Sequence, residues 1–167
     1  MPYSITELNQ MDRETFVKAF GAVFEDTPAI AAQAWLARPF RDIDDLHQKM
    51  IEVVNQMTPD DQLALIRAHP DLGSQAKMAE ASVKEQEGIG LNRLDAQEYE
   101  RFQRLNQTYK DKFQFPFIVA VKHHTKASVL EAFEQRLNNT ILTEIKQALL
   151  EINQIARFRL SNLVERS

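Results

Sequence analysis

The chain has 167 residues, of which 44% are hydrophobic and 26% charged, and its formal net charge is −4. Nucleic acid is a poor candidate for its main partner, because a phosphate-binding surface needs clustered lysine and arginine and the basic residues here are scattered. The chain contains no cysteine, which excludes disulfides, thiolate zinc sites and cysteine nucleophiles. Four glycines and six prolines are few for a β-rich chain, so the composition favours an all-α protein.

Targeting and membrane signals are not apparent in the sequence. No apolar stretch approaches transmembrane length, and the N-terminus lacks a basic region followed by an apolar one. The last residues form no recognisable peroxisomal or retention signal: Val164-Glu165-Arg166-Ser167. We therefore expect a soluble cytoplasmic protein without a membrane partner.

Start signals divide the first part of the chain into four helices. Suitable N-cap or first-turn residues precede them: Asp12, Pro28, Asp42 or Asp44, and Thr58. The Thr58 signal is the strongest, since Pro59 follows at the first helical position and acidic residues fill the first turn. The fourth helix is expected to end at His69, because a residue that precedes proline disfavours α geometry.

Helical spacing resumes after a stretch, Gly73 to Ala81, that fits either a loop or a short helix. A segment from about Ser82 is expected to end at Gly88-Ile89-Gly90, since glycines terminate or kink helices. Asp95 and Ser128 are the predicted N-caps of the next two helices.

A last helix is predicted from Thr143 to about Leu163. One run, Phe113 to Val121, resembles a strand, but Pro116 and its short length indicate a buried extended segment or a helix start. The patterns together predict one all-α domain over residues 1–167, a bundle of seven to eight helices.

Polar residues that could carry chemistry surround the break at Pro70. His69 would lie at a helix end, where the following proline gives it a defined direction. Small changes in its surroundings would move its pKa across neutrality. Ser82, Glu85 and Gln86 stand at i, i+3 and i+4, so they converge on one helical face. Their hydroxyl, carboxylate and amide suit a small ligand with ureido or amide groups.

Each part of this cluster also has a structural interpretation. His69 could interact with the last carbonyls of its own helix. Ser-x-x-Glu is a capping-box pattern, in which Ser82 would be the N-cap and Glu85 would bond back to its backbone. The residues alone leave both alternatives open.

The remaining charged residues point less clearly to chemistry. Arg159 lies among apolar neighbours late in the final helix, so it needs an anionic partner, either a protein carboxylate or a ligand. Arg157 fits a solvated position. Adjacent His123 and His124 would point apart and are interpreted as loop or surface residues, and His47 has no companion at a metal-binding spacing. No metal site is predicted.

Several motifs in the chain resemble, in order, those of the 2-oxo-4-hydroxy-4-carboxy-5-ureidoimidazoline (OHCU) decarboxylase family. They are Trp35-x-x-Arg38-Pro39-Phe40, Ala68-His69-Pro70-Asp71-Leu72-Gly73, Ser82-x-x-Glu85-Gln86, Gly90-Leu91, Leu105-Asn106-x-x-Tyr109, Phe113-x-Phe115-Pro116-Phe117-Ile118-Val119-Ala120 and Ile155-x-x-Phe158-Arg159-Leu160. The resemblance covers nearly the whole chain. The segment between two of the motifs, Asp71 to Ala81, is shorter than in many members.

The resemblance implies an all-α homodimer that acts without metal or organic cofactor. The implied activity is decarboxylation of OHCU, a small ureidoimidazoline, to (S)-allantoin and CO2, the last step of urate degradation to allantoin. His69 and Glu85 would be catalytic. The implied substrate-binding residues are Pro70, Ser82, Gln86, Phe117, Ile118, Val119, Ala120, Val121 and Arg159.

Two other functions remain compatible with the sequence. The chain could be a non-catalytic helical interaction domain whose motifs only cap helices. It could also be a ureide hydrolase that uses His69 and Glu85 to activate water.

Overall fold

The computed structural model describes residues 2–73 and 80–165. Nine α-helices lie in this part of the chain, and none of its residues forms a β-strand, which confirms the all-α prediction. The helices are α1 (Ile5–Gln10), α2 (Arg13–Phe20), α3 (Ala29–Ala34), α4 (Ile43–Gln56), α5 (Pro59–Arg67), α6 (Glu80–Gly88), α7 (Ala96–Phe113), α8 (Lys126–Arg136) and α9 (Ile141–Leu163). Most of the ambiguous stretch Gly73 to Ala81 lies outside the described residues. No helix in the described ranges is long and apolar enough to cross a membrane.

The helix missing from the sequence-based count is α1. Its N-terminus is a capping box, in which the Ser4 hydroxyl accepts from the Glu7 N–H at 3.0 Å and the Glu7 carboxylate accepts from the Ser4 N–H at 3.1 Å. In its six residues only Leu8 is buried. A helix this short shows no repeated apolar stripe, so its pattern in the sequence is weak.

Most predicted helix starts are confirmed by side-chain caps. Each capping oxygen accepts the backbone N–H three residues later, which satisfies a donor that has no partner within the helix. The caps are Asp12 (2.8 Å), Asp42 (2.8 Å), Thr58 (3.1 Å) and Asp95 (2.7 Å).

The prediction for Ser128 was wrong. The N-cap of α8 is Thr125, whose hydroxyl accepts from the Ser128 N–H at 3.1 Å, while the Ser128 hydroxyl accepts from the Thr125 N–H at 2.8 Å. Ser128 is therefore the third helical residue of a reciprocal capping box. Two hydroxyl residues three positions apart both fit the N-cap pattern, and the sequence-based choice took the later one.

The described chain divides into two compact units, one of residues 2–65 and 153–165 and one of residues 66–152. The prediction that residues 1–167 form a single domain is not tested by this division and stays a prediction. In the first unit, Phe16 packs against Phe20 and Phe40, with ring centroids 4.8 and 6.0 Å apart. The amide side chain of Asn9 bonds to both backbone groups of Phe40, at 2.8 and 2.9 Å.

The two ends of the described chain meet in this first unit. Tyr3 forms an isolated parallel bridge with Val164. Its N–H donates to the Leu163 carbonyl at 2.7 Å, and its carbonyl accepts from the Glu165 N–H at 2.8 Å.

The second unit has an aromatic core. Phe117 stacks on Phe133 at 3.8 Å, and Tyr109 contacts the edges of these rings at 5.3 and 6.3 Å. Residues 115–121 are all buried, and no α-helix or strand forms between the end of α7 and a 3-10 turn, Val121–His123. The predicted burial of this run is confirmed for residues 115–121, hereafter the apolar segment, whereas Phe113 is the last residue of α7 and Gln114 is exposed.

Candidate active site

His69 lies just past the end of α5, as predicted. Its backbone N–H still bonds to the Ile66 carbonyl at 3.2 Å, and Pro70 then prevents the helix from continuing. The His69 residue is buried, with 8% of its surface exposed. Two residues earlier, Arg67 Nε donates to the Gln114 carbonyl at 3.1 Å, so the end of α5 is bonded to the residue that precedes the apolar segment.

The residues after His69 form a loop that is bonded to two helices. Gln86 Oε1 on α6 accepts from the Gly73 N–H at 3.0 Å, and Asn106 Nδ2 on α7 donates to the Leu72 carbonyl at 2.8 Å. Asp71 forms an ion pair with Lys110 of α7 at 2.8 Å. The loop from His69 to Gly73, hereafter the His69 loop, is therefore held beside α6.

Helix α6 presents the three polar residues predicted to converge. Ser82 and Gln86 are buried, with 4% and 6% exposed, and Glu85 is half-buried. Because α6 already begins at Glu80, Ser82 is its third residue, so the interpretation of Ser82 as an N-cap in a capping box was wrong. A hydroxyl at this position inside the helix does not cap its start.

The predicted end of α6 is confirmed as a Schellman motif. The Leu91 N–H donates to the Gln86 carbonyl at 2.9 Å and the Gly90 N–H to the Glu87 carbonyl at 3.0 Å. Gly90 has φ of +82°, a left-handed conformation that glycine adopts without strain.

The apolar segment is fixed by two buried charged residues that sequence reasoning missed. Arg136 Nη1 donates to the Ile118 carbonyl at 2.6 Å, and its guanidinium lies 4.4 Å from the ring centroid of Phe117. The Glu151 carboxylate accepts from the Ala120 N–H at 3.2 Å. These bonds set the direction of the backbone groups along the segment.

Arg136 belongs to a buried network centred on Glu144. The Glu144 carboxylate, with 0% exposed, accepts from Arg136 Nε at 2.9 Å, Asn139 Nδ2 at 2.9 Å and the Tyr109 hydroxyl. Burial, and then the bond to Glu144, raise the pKa of Tyr109 far above its usual 10.0. Tyr109 therefore stays a hydrogen-bond donor, and the aromatic core and the apolar segment share one polar support.

Arg159 belongs to the first unit, where it has the anionic partner that its surroundings required. Its Nη1 donates to Glu25 Oε1 at 3.1 Å, and both side chains are buried. The carbonyls of Ala22 and Val23 lie 3.4 Å from the same nitrogen. A protein carboxylate is thus one partner of Arg159, and contact of Arg159 with substrate stays a prediction.

The other histidines have structural contacts. His124 Nδ1 lies 2.9 Å from the Ser128 hydroxyl, His123 is exposed, and His47 Nε2 lies 2.8 Å from the Asn153 carbonyl. Among the described residues, no group of three or more His, Asp or Glu side chains is arranged to hold a metal ion.

A cavity of about 610 Å3 adjoins the end of α6 and the start of α8. Its charged residues, Glu98 and Lys126, form an ion pair at 3.2 Å, so their charges offset each other. The lining residues are Gly88, Ile89, Glu98, His124, Thr125, Lys126, Ala127 and Leu130.

Two solved structures have the same helical fold as this chain. A crystal structure of (S)-allantoin synthase superimposes with a TM-score of 0.79 at 28% identity, over 99% of this chain and 55% of that chain. A crystal structure of OHCU decarboxylase in the presence of (S)-allantoin, at 23% identity, has the same fold with a TM-score of 0.71 over 92% of this chain and 98% of that chain.

Sequence comparison identifies the family. The family model described as OHCU decarboxylase matches residues 9–161. The 2-oxo-4-hydroxy-4-carboxy-5-ureidoimidazoline decarboxylase of Halalkalicoccus jeotgali is 44% identical over 96% of this chain and 91% of its own length. The uric acid degradation bifunctional protein PucL of Bacillus subtilis is also 44% identical, over 97% of this chain and 33% of its own length. The chain belongs to the OHCU decarboxylase family.

Proposed function

We propose that this protein is a carboxy-lyase that converts OHCU to (S)-allantoin and CO2 without a metal or organic cofactor. The observation that carries the proposal is the 3.0 Å bond between Gly73 and Gln86. This bond brings the buried His69 and its loop to the helix that carries Ser82, Glu85 and Gln86. The family membership and the decarboxylase and allantoin synthase names of its relatives supply the substrate and product.

The reaction breaks one carbon–carbon bond and adds one proton. The electron pair of the bond to CO2 is delocalised from C4 into the ring, which leaves an enol at C4. Protonation of the adjacent carbon C5, which carries the ureido group, from one face then gives the S configuration as the C4 hydroxyl becomes a carbonyl. A site that stabilises the developing charge and excludes water favours this transition state and prevents protonation from the other face.

His69 is assigned the proton transfer. Histidine is the side chain whose ordinary pKa lies nearest neutrality, so it is the usual group for moving a proton at working pH. Pro70 restricts the backbone next to it, and the loop bonds to α6 and α7 hold the group in place. A buried histidine in a held loop suits a step in which the face of protonation matters.

The remaining residues are assigned to binding, with Glu85 also required for turnover. Ureido and ring N–H groups need acceptors, which the Glu85 carboxylate, the Gln86 amide and backbone carbonyls provide. A side-chain amide has an acceptor oxygen with two lone pairs and two donor hydrogens, so the bond that Gln86 accepts from Gly73 is compatible with a ligand contact. Pro70, Ser82 and the backbone of Phe117, Ile118, Val119, Ala120 and Val121 complete the binding set, and Arg159 is assigned an anionic part of the substrate.

The activity is tested with freshly generated OHCU, followed by circular dichroism of the allantoin formed. We expect rapid appearance of one enantiomer at a rate that EDTA does not change. A non-catalytic interaction domain would give no acceleration over the spontaneous reaction. A ureide hydrolase would consume OHCU by reaction with water and would not accelerate the formation of allantoin over the spontaneous reaction.

His69→Ala separates the proton-transfer role from a structural one. We expect turnover to be lost while the helical circular dichroism spectrum is unchanged. His47→Asn is the control, since it removes a partly buried histidine that lies outside the candidate site. Full rate in His69→Ala would contradict the assignment.

Glu85→Ala tests the carboxylate of α6. Alanine is a strong helix former, so we expect the melting temperature to hold while turnover falls. Glu87→Ala removes an exposed carboxylate from the same helix and is expected to keep full activity. A variant that loses stability and retains turnover would identify Glu85 as a structural residue.

Arg159→Met removes the cation assigned to the substrate, and its effect is compared with that of Glu25→Gln. If Arg159 binds substrate, KM should rise in Arg159→Met beyond any change that Glu25→Gln produces. Equal destabilisation of both variants without a change in KM or kcat would restrict Arg159 to the ion pair.

We also propose that the protein is a homodimer and that it acts in the cytoplasm. Sedimentation at working concentration should give twice the chain mass, and a monomer under these conditions would contradict the dimer.

A further inference from the structure

Asn106 is a polar residue in an apolar stripe. The buried residues of α7 are Phe102, Asn106, Tyr109 and Phe113, spaced so that they share one helical face. Asn106 is 2% exposed. Burial of an amide is unfavourable unless the amide is hydrogen-bonded. Asn106 therefore requires a hydrogen bond that offsets the cost of its burial.

That bond is to the His69 loop, and it completes a clamp on one peptide group. The Leu72 carbonyl and the Gly73 N–H belong to the same planar peptide unit and point in opposite directions. Asn106 binds the carbonyl at 2.8 Å from α7, and Gln86 binds the N–H at 3.0 Å from α6. The peptide is held between the two helices by two side-chain amides.

The packing at Gly73 restricts the same peptide further. Gly73 has φ of +68°, and a Cβ built on it would lie 2.8 Å from Leu94 Cδ1 and 3.4 Å from Phe102 Cγ. The backbone therefore approaches these side chains as closely as glycine allows. The loop has little room to move at this point, which lies four residues after His69.

We propose that Asn106 is a positioning residue for the reaction: by holding the Leu72–Gly73 peptide, it keeps the loop that carries His69 at a fixed distance from the helix that carries Glu85. The inference rests on the proposed function, because it assigns Asn106 a role in that same site. It gives Gln86 a second role beside ligand binding. Pro70, with its fixed φ, lies between the held peptide and His69 and transmits the restraint.

The substitution Asn106→Leu isolates this restraint. Within the described residues Asn106 Oδ1 has no hydrogen-bond partner, so leucine, of nearly the same shape, removes only the donor to Leu72. A displacement of about 1 Å at a catalytic group can lower the rate about 100-fold. We expect kcat to fall roughly 10- to 100-fold, while KM changes less than about 3-fold because the groups assigned to the substrate remain.

Asn9→Leu is the matched control. It is the same substitution at an asparagine that also bonds to a backbone carbonyl, that of Phe40, at 2.9 Å. We expect it to lower the melting temperature and to leave kcat and KM within about 2-fold. If Asn106→Leu behaves as Asn9→Leu does, Asn106 is only structural and the inference is overturned.

Gly73→Ala perturbs the same peptide without changing Asn106, and serves if Asn106→Leu does not fold. It should reproduce the fall in kcat with little change in KM. The kcat of the double variant should be no less than about half that of the slower single variant, because both substitutions release the same peptide. Fully additive losses would show that they act separately and would overturn the inference.

A measurement on the ligand-free protein separates the failure of this inference from the failure of the proposed function. By NMR, the Gly73 amide should exchange at least about 10-fold faster in Asn106→Leu than in the wild type, and the His69 ring signals should shift. If the wild type does not convert OHCU, the proposed function fails and these signals alone decide the positioning role. An unchanged Gly73 exchange rate and His69 spectrum would overturn it.

Discussion

Replacing Glu144 with glutamine is expected to destabilise the protein strongly. The carboxylate is fully buried and accepts hydrogen bonds from Arg136, Asn139 and Tyr109. Glutamine keeps the size but removes the charge, and its amide group places a donor where three donors already converge. The Arg136 guanidinium, whose side chain is 11% exposed, then remains buried without its carboxylate.

The size of the effect follows from the burial of the pair. Removing one partner of a buried ion pair costs about 3–5 kcal/mol, because the remaining charge is uncompensated. In a chain of this length about 1 kcal/mol corresponds to roughly 2–4 °C, so Tm should fall by about 6–20 °C.

The assay is urea unfolding followed by circular dichroism, with Asp44→Asn as the matched control. Asp44 pairs with Arg157 at 3.0 Å, but the two side chains are 79% and 34% exposed. An exposed pair contributes about 0–1 kcal/mol, so the control should unfold near the wild-type midpoint. A loss below about 1 kcal/mol in Glu144→Gln would refute the argument that this buried charge holds the apolar segment.

Three further outcomes are expected. Burial lowers the pKa of His47 below its usual 6.5, so the unfolded chain takes up the proton first, and stability should fall as pH drops below about 6.5. His47→Asn should flatten this decline, and an unchanged pH profile would contradict it. Glu151→Leu should cost about 1–3 kcal/mol in urea unfolding by leaving the Ala120 N–H without an acceptor, with Glu151→Gln as the milder control. Asp95→Ala should cost about 0.5–2 kcal/mol through loss of the α7 cap, whereas equal effects of Asp95→Ala and the exposed Asp111→Ala would exclude a capping role.

Local signals in the sequence predicted most of the helices correctly. Caps at Asp12 and Asp95, and the break at His69-Pro70, depend on residues a few positions apart, so the sequence displays them directly. The errors at Ser82 and Ser128 are also local. Both serines fit an N-cap pattern, but the helices begin earlier, and the hydroxyl that caps α8 is that of Thr125.

The supports of the candidate site could not be predicted in the same way. Asn106 contacts Leu72 across 34 positions and Glu151 contacts Ala120 across 31. No periodicity links such residues, so only the three-dimensional arrangement pairs them. The one available signal was an amide in the otherwise apolar face of α7, which indicates a buried hydrogen bond without naming its partner.

The bridge between Tyr3 and Val164 has a consequence for protein engineering. Because this pairing places the two ends of the described chain side by side, a short flexible linker can join them without crossing the surface. A circular permutant opened in the turn at Met57-Thr58, between α4 and α5, should therefore fold.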